Sequence, residues 1–151
     1  MAAAVILVSA RAMQDGGAAA VGLVQASSKG SHAMKINLRI GSKLVTATVL
    51  DNQTAKDFLS LLPLELSMND LFRREKYAGL PRPLSDNGPR VFRYHVGDIA
   101  YWSPSHDLAI YYHQDGERIP APGIIPIAAI DASADAFHTP GSVEVTIELA
   151  R

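Results

Sequence analysis

Two adjacent runs, Asp98-Ile99-Ala100-Tyr101-Trp102 and Asp107-Leu108-Ala109-Ile110-Tyr111-Tyr112, constrain this chain more than any other segment. Both are apolar at successive positions, not only at alternate ones. A strand of that kind is covered on both faces, as in a barrel wall with further chain packed outside it. The link Ser103-Pro104-Ser105-His106 reads as a short polar turn. Tyr101, Trp102, Tyr111 and Tyr112 are four of the ten aromatic residues. Strand parity sends Tyr101 and Trp102 to opposite faces, and Tyr111 and Tyr112 likewise, so all four can line one pocket only across a bulge.

The rest of the chain repeats short strand signals. Ile36, Leu38 and Ile40 alternate with Lys35, Asn37 and Arg39, a half-buried strand. Gly41-Ser42-Lys43 turns it into a second strand over 44–50, giving a hairpin. Asn52 or Thr54 can cap a helix with Asp57 in its first turn, an apolar face at Ala55, Phe58, Leu59 and Leu62, and a stop at Pro63. Leu64, Leu66 and Met68 begin a third strand. Asp70-Leu71-Phe72 reads as a strand or helical turn, and Arg73-Arg74-Glu75-Lys76 as a solvated charge run. Gly79 to Pro89 is an irregular connection, and 91–96 a possible short strand. The run 124–130 contains Pro126, which signals an edge or a bulge, and 131–137 suits one helical turn. Val143, Val145, Ile147 and Leu149 mark the last strand. About seven or eight strands and one secure helix make a mainly-β barrel or sandwich.

Composition removes several classes of function. The 151 residues include no cysteine, which excludes disulfides, thiolate catalysis and cysteine-ligated metals. With a net charge of -1 and no cluster of lysine and arginine, nucleic-acid binding through a basic face is not expected. No segment is apolar for long enough to span a bilayer as a helix. The five histidines form no tight pair, so no metal site is expected. Ser103, Ser105, His106 and Asp107 are sequence neighbours rather than residues converging from separate elements, so no triad is read there. No phosphate-binding glycine motif occurs, and no cofactor is implied.

Residues 1–33 are rich in alanine, glycine and serine and read as a disordered or targeting extension, or as a start placed upstream of a true start at Met34. The folded domain is expected over 34–151. A cytoplasmic location is expected, with export the alternative if residues 1–33 act as a signal. No Lys or Arg precedes the apolar run 2–10, as a secretory signal would have.

Several segments, taken in order, resemble the bacterial and archaeal cyclophilin-like family: Asp51-Asn52-Gln53-Thr54-Ala55-Lys56-Asp57-Phe58, Leu61-Leu62-Pro63-Leu64, Glu75-Lys76, Leu80-Pro81, and Gly97-Asp98-Ile99-Ala100-Tyr101-Trp102 with Leu108-Ala109-Ile110-Tyr111-Tyr112. The similarity spans about residues 34–131. It implies a closed or nearly closed eight-stranded β-barrel with one or two short capping helices, and it brings no particular activity with it. By the same resemblance Glu75 and Asp98 are structural anchors. In true cyclophilins, which are prolyl isomerases, the arginine aimed at the prolyl nitrogen follows Phe-His, and a Gln-Gly-Gly-Asp run comes shortly after. Here Phe92-Arg93 is only an echo, and Gly97-Asp98 lacks the glutamine.

The expected function is therefore a non-catalytic module binding a small molecule or an extended peptide beside the barrel. Arg93, Tyr101, Trp102 and Tyr112 are the candidate contacts, with aromatics supplying desolvated surface and Arg93 a donor for a carboxylate or carbonyl. A peptidyl-prolyl isomerase is the first alternative. A structural, homo-oligomer-forming domain is the second, with the Pro-rich loops and the Ile124-Ile125 edge as its interface.

Overall fold

The computed structural model describes residues 32–151; the expectations placed on residues 1–31 lie outside the described residues. Eight antiparallel strands close a barrel: β1 Lys35–Ile40, β2 Lys43–Val49, β3 Leu64–Leu71, β4 Glu75–Gly79, β5 Asp98–Trp102, β6 Asp107–Tyr111, β7 Ile125–Ile130 and β8 Val143–Leu149. Round the barrel their order is β1-β2-β7-β5-β6-β4-β3-β8. Closure leaves no free sheet edge in it. No helix among the described residues is long and apolar enough to cross a membrane.

The alternating residues fill the interior. Ile36, Leu38, Leu66, Met68, Val145 and Ile147 come from one side of the wall. Ile99, Tyr101, Leu108, Ile110 and Ile127 come from the other. Pro126 sits at a bulge, not an edge: Ile99 pairs with Ala128 but Ala100 with Pro126, so β7 carries one extra residue there. Ile124 and Ile125, expected at an interface, are buried within the protomer. The possible strand at 91–96 reduces to a single bridge, Val91 to Ile124.

One short helix, α1 (Gln53–Leu59), covers the Tyr101 end of the barrel with Phe58 and Ala55 buried beneath it. The Asn52 side chain caps it by accepting from Ala55 N at 2.8 Å. Asp57 lies beyond the first turn, because the helix begins at Gln53. Instead of answering the helix dipole it accepts from Ser85 N at 2.7 Å. That bond fastens the irregular connection over α1, as does the Thr54 hydroxyl donating to Ser85 O at 2.6 Å. A 3-10 turn at Asp135–Phe137 plugs the Tyr112 end with Phe137.

The main departure from the sequence reading is β4. The supposed solvated run Arg73-Arg74-Glu75-Lys76 holds the barrel's most deeply buried charges: Arg74 and Glu75 are each 6% exposed and Lys76 is 0% exposed. Phe72 and Arg73 link β3 to β4 at positive φ (57° and 52°), a conformation costly for residues with a Cβ. Arg74 N closes the turn onto Leu71 O at 3.0 Å. Glu75 and Tyr77 then point outward, while Lys76 and Ala78 point inward.

Candidate functional site

The outer face of β4, β6 and β5 forms a second apolar centre outside the barrel. Cross-strand pairing sets out three rows: Glu75 with Tyr111, Tyr77 with Ala109 and Ala100, and Gly79 with Asp107 and Trp102. Part of this face is roofed by the segments round 91–94 and 119–124, where Tyr94, Val91, Ile119 and Ile124 pack on Ala100, Ala109 and Tyr111. Val91 and Ile124 exchange backbone bonds at 2.8 and 2.9 Å, and Ile119 N donates to Phe92 O at 2.9 Å. Gly123 makes this approach possible. Its φ is +84°, and a Cβ there would lie 2.7 Å from Val91 O.

The alanine at the middle of the face leaves a depression where the roof stops. It is a cavity of about 320 Å³, floored by Ala109 and walled by Tyr77, Trp102, Tyr111, Ile119 and Pro120. Phe72, 71% exposed, stands at its mouth. The size falls at the small end of the range for ligand pockets, roughly 300–1,000 Å³.

Arg74 and Glu75 close one side. Arg74 Nε and Nη2 both donate to Glu75 Oε2, at 2.9 and 2.7 Å. Arg74 Nη1 reaches Asp115 Oδ2 at 3.4 Å. The guanidinium lies 5.3 Å from the Phe72 ring centroid, 5.5 Å from that of Tyr94 and 5.8 Å from that of Tyr111. Tyr94 in turn stacks on Tyr111, centroid to centroid 4.3 Å at 20°, and donates its hydroxyl to His113 O at 2.9 Å. Burial raises the Glu75 carboxyl above the ordinary glutamate range; Arg74 pulls it back only in part, and the charges of Asp115 and Asp107 push it further up. Burial, and next the Glu75 charge, drive the Tyr111 phenol well up, so it remains a neutral donor. For Arg74, burial opposes the charge but the Glu75 bonds outweigh it and raise its pKa.

The four residues nominated from sequence do not meet. Trp102 lines the cavity. Tyr101 is 1% exposed inside the barrel, where its hydroxyl accepts from Leu84 N at 3.0 Å. Tyr112 also points inward and borders a different depression with Asp70, His113 and His138. Arg93 is exposed on the roof segment and borders neither hollow. Parity had already divided the tyrosines, and Tyr111 is the one that joins Trp102. Glu75 is an anchor through Arg74, and Asp98 is one through His95 N, which donates to Asp98 Oδ2 at 2.8 Å.

At the second depression the Tyr112 hydroxyl donates to Asp70 Oδ1. Lys76 Nζ donates to Asp70 Oδ1 at 3.0 Å and to Thr139 O and Gly141 O, each at 2.6 Å. Burial works to raise the Asp70 pKa, but the bonds from Tyr112 and Lys76 prevail and hold it below the ordinary aspartate value. A carboxyl depressed in the folded state stabilises the fold above its unfolded pKa. That contribution is lost as pH falls through the folded value. Asp70→Asn is therefore expected to flatten the loss of thermal stability as pH falls below about 4, measured as Tm against pH. An unchanged acid limb would contradict this. His113 and His138 come within 6.2 Å, ring to ring. Among the described residues no three His, Asp or Glu side chains gather as a metal would need.

The described residues thus form a closed antiparallel β-barrel with a cavity on its outer wall. A family model described as the Cyclophilin-like family matches residues 38–148, and the chain belongs to that family. The solution structure of a hypothetical protein from Archaeoglobus fulgidus shares the fold, with a TM-score of 0.60 and 20% identity over 82% of this chain and 99% of that one. No curated protein matches the sequence.

Proposed function

We propose that this cyclophilin-like domain is a non-catalytic binding module that takes a small molecule into the cavity beside Trp102. The observation that carries this reading is the cavity itself: an open-mouthed, aromatic-walled hollow of about 320 Å³ on the barrel's outer face. Its rim supports the same reading. Phe72 is largely exposed and holds a positive φ, so neither burial nor backbone preference accounts for a phenylalanine there. Its ring instead extends the apolar wall outward. The one arginine lining the cavity is committed to Glu75 and Asp115, which leaves it poorly placed to weaken a prolyl amide.

The test is a small-molecule fragment screen on the full chain, read by the Trp102 indole N–H signal in NMR. Saturable shifts of that signal are expected. Trp102→Ala, followed by calorimetry, should weaken the same fragments about tenfold or more, as loss of a main aromatic wall would. Phe72→Gly should weaken them too while leaving stability equal or raised by about 1 kcal/mol, because glycine accepts the positive φ. A coupled proline-isomerisation assay is expected to show no acceleration. Acceleration abolished by Arg93→Ala would overturn the binding reading in favour of the isomerase.

A further inference from the structure

The cavity has a charge preference that its aromatic walls alone do not set. Glu75 is buried, and both Arg74 bonds fall on its Oε2. Its Oε1 has no hydrogen-bond partner among the described residues. Yet among those residues no side-chain oxygen or nitrogen is both sealed from solvent and unpaired. Since Glu75 lines the cavity, Oε1 opens into it. Across the floor stands Asp107, also a lining residue, which accepts from Ser105 Oγ through Oδ2 and leaves Oδ1 without a partner among the described residues.

Arg74 is the single cation of the lining, and it faces Glu75 and Asp115 together. Two carboxylates thus face the one guanidinium, and Asp107 adds a third negative charge to the cavity from across its floor. The neighbouring cations are turned elsewhere: Arg118 lies over the Phe92 ring at 4.7 Å, and Lys76 is inside the barrel bonded to Asp70. The indole of Trp102 and the phenol ring of Tyr77 complete the walls. Aromatic faces attract cations through their quadrupole, most strongly where water is excluded. A ligand anion would meet a net negative field and no uncommitted donor charge.

From this geometry we propose that the cavity's ligand is a small organic ammonium ion, its apolar body between Trp102 and Tyr77 and its charged nitrogen at Glu75 Oε1, with the Asp107 carboxylate adding negative field from across the floor. The proposal rests on the small-molecule reading above and specifies the ligand's charge. It also fixes a pH response. The groups facing Glu75 are Arg74 in the turn before its strand, Asp107 and Tyr111 on β6, and Asp115 beyond it. Burial holds the Glu75 pKa up, so on acidification it takes its proton before an exposed glutamate would. The ammonium ion prefers the ionised carboxylate, so affinity is constant above the Glu75 pKa and falls as pH drops through it.

Titration with benzylamine, benzyl alcohol and benzoate, matched in shape and differing in charge, tests this on the full chain by calorimetry and the Trp102 signal. Benzylamine is expected to bind about tenfold tighter than the alcohol, and benzoate weaker than either. Glu75→Gln and, independently, the more accessible Asp107→Asn should each narrow the amine's advantage over the alcohol. The asparagine variant keeps the test open if the glutamine variant does not fold. Equal binding of amine and alcohol, or a preference for benzoate, would overturn the ammonium assignment and leave the pocket standing. If none of the three moved the Trp102 signal, the pocket reading would fall with it.

Discussion

Replacing Lys76 with methionine is expected to cost about 3–5 kcal/mol of stability. Methionine has a similar length and greater affinity for an apolar interior, so packing alone would favour the change. The loss lies in what the ammonium holds. Its three donors are satisfied by Asp70 Oδ1, Thr139 O and Gly141 O, and it lies 5.4 Å from the Tyr112 ring centroid. Without it two loop carbonyls lose their partner, each an orphan worth about 1–3 kcal/mol if it stays dry, and Asp70 keeps only Tyr112 and Arg73 N. The loop Thr139–Gly141 is thereby released from the Tyr112 end of the barrel. Urea unfolding of the two proteins, with equal m-values, measures the difference. A loss below about 1 kcal/mol would mean that water replaces the ammonium at that end and that Lys76 is no keystone.

Lys76 also shows where the sequence could be read and where it could not. The interior of β1, β3 and β8 was visible because Ile36-Leu38-Ile40, Leu64-Leu66-Met68 and Val143-Val145-Ile147 alternate with polar residues, and only one face of each is apolar. The double burial of β5 and β6 was visible for the complementary reason: Ala100 and Ala109 are apolar on the outer face, where a bare barrel would show charge. β4 breaks both patterns. Lys76 is inward yet charged, held by Asp70 and by the distant carbonyls of Thr139 and Gly141, and Glu75 is outward yet buried, held by its neighbour Arg74, which Asp115 holds in turn. Alternation reports polarity, and here polarity and burial part company. One signal was available all the same. β6 is apolar on both faces, so its neighbour on each side must be covered too, and Glu75-Lys76-Tyr77-Ala78-Gly79 has the length to be that neighbour. The site had the same difficulty. Trp102 was legible as one wall, but its companions Tyr77 and Glu75 sit on the strand that polarity concealed, and Arg93 was chosen by likeness to a motif that this chain places on an exposed roof segment.

Glu75→Leu is expected to destabilise the protein by about 3–5 kcal/mol, and Arg74→Met by less, with the asymmetry depending on pH. Removing the carboxylate leaves a guanidinium that cannot discharge, buried between Phe72, Tyr94 and Tyr111 with only the long contact to Asp115. Removing the guanidinium leaves a carboxyl that can take up a proton, and burial already favours its neutral form. In Arg74→Met the folded-state pKa of Glu75 therefore rises further above its unfolded value. A raised folded pKa gives a contribution that is present at low pH and disappears as pH climbs through it. The penalty of Arg74→Met should accordingly be small at pH 5 and grow toward pH 8, whereas that of Glu75→Leu should not shrink on acidification. The double variant Arg74→Met/Glu75→Leu removes both charges from a largely apolar setting and is expected to recover most of the stability lost by Glu75→Leu alone. Urea unfolding of all four proteins at both pH values completes the cycle. Additive losses, or an Arg74→Met penalty larger at pH 5 than at pH 8, would show that the pair is not the coupled, desolvated unit that its geometry describes. Recovery of stability in the double variant together with loss of the benzylamine preference would show that selection favours the charged pair at this cavity for what it binds, since an apolar replacement would hold the fold as well.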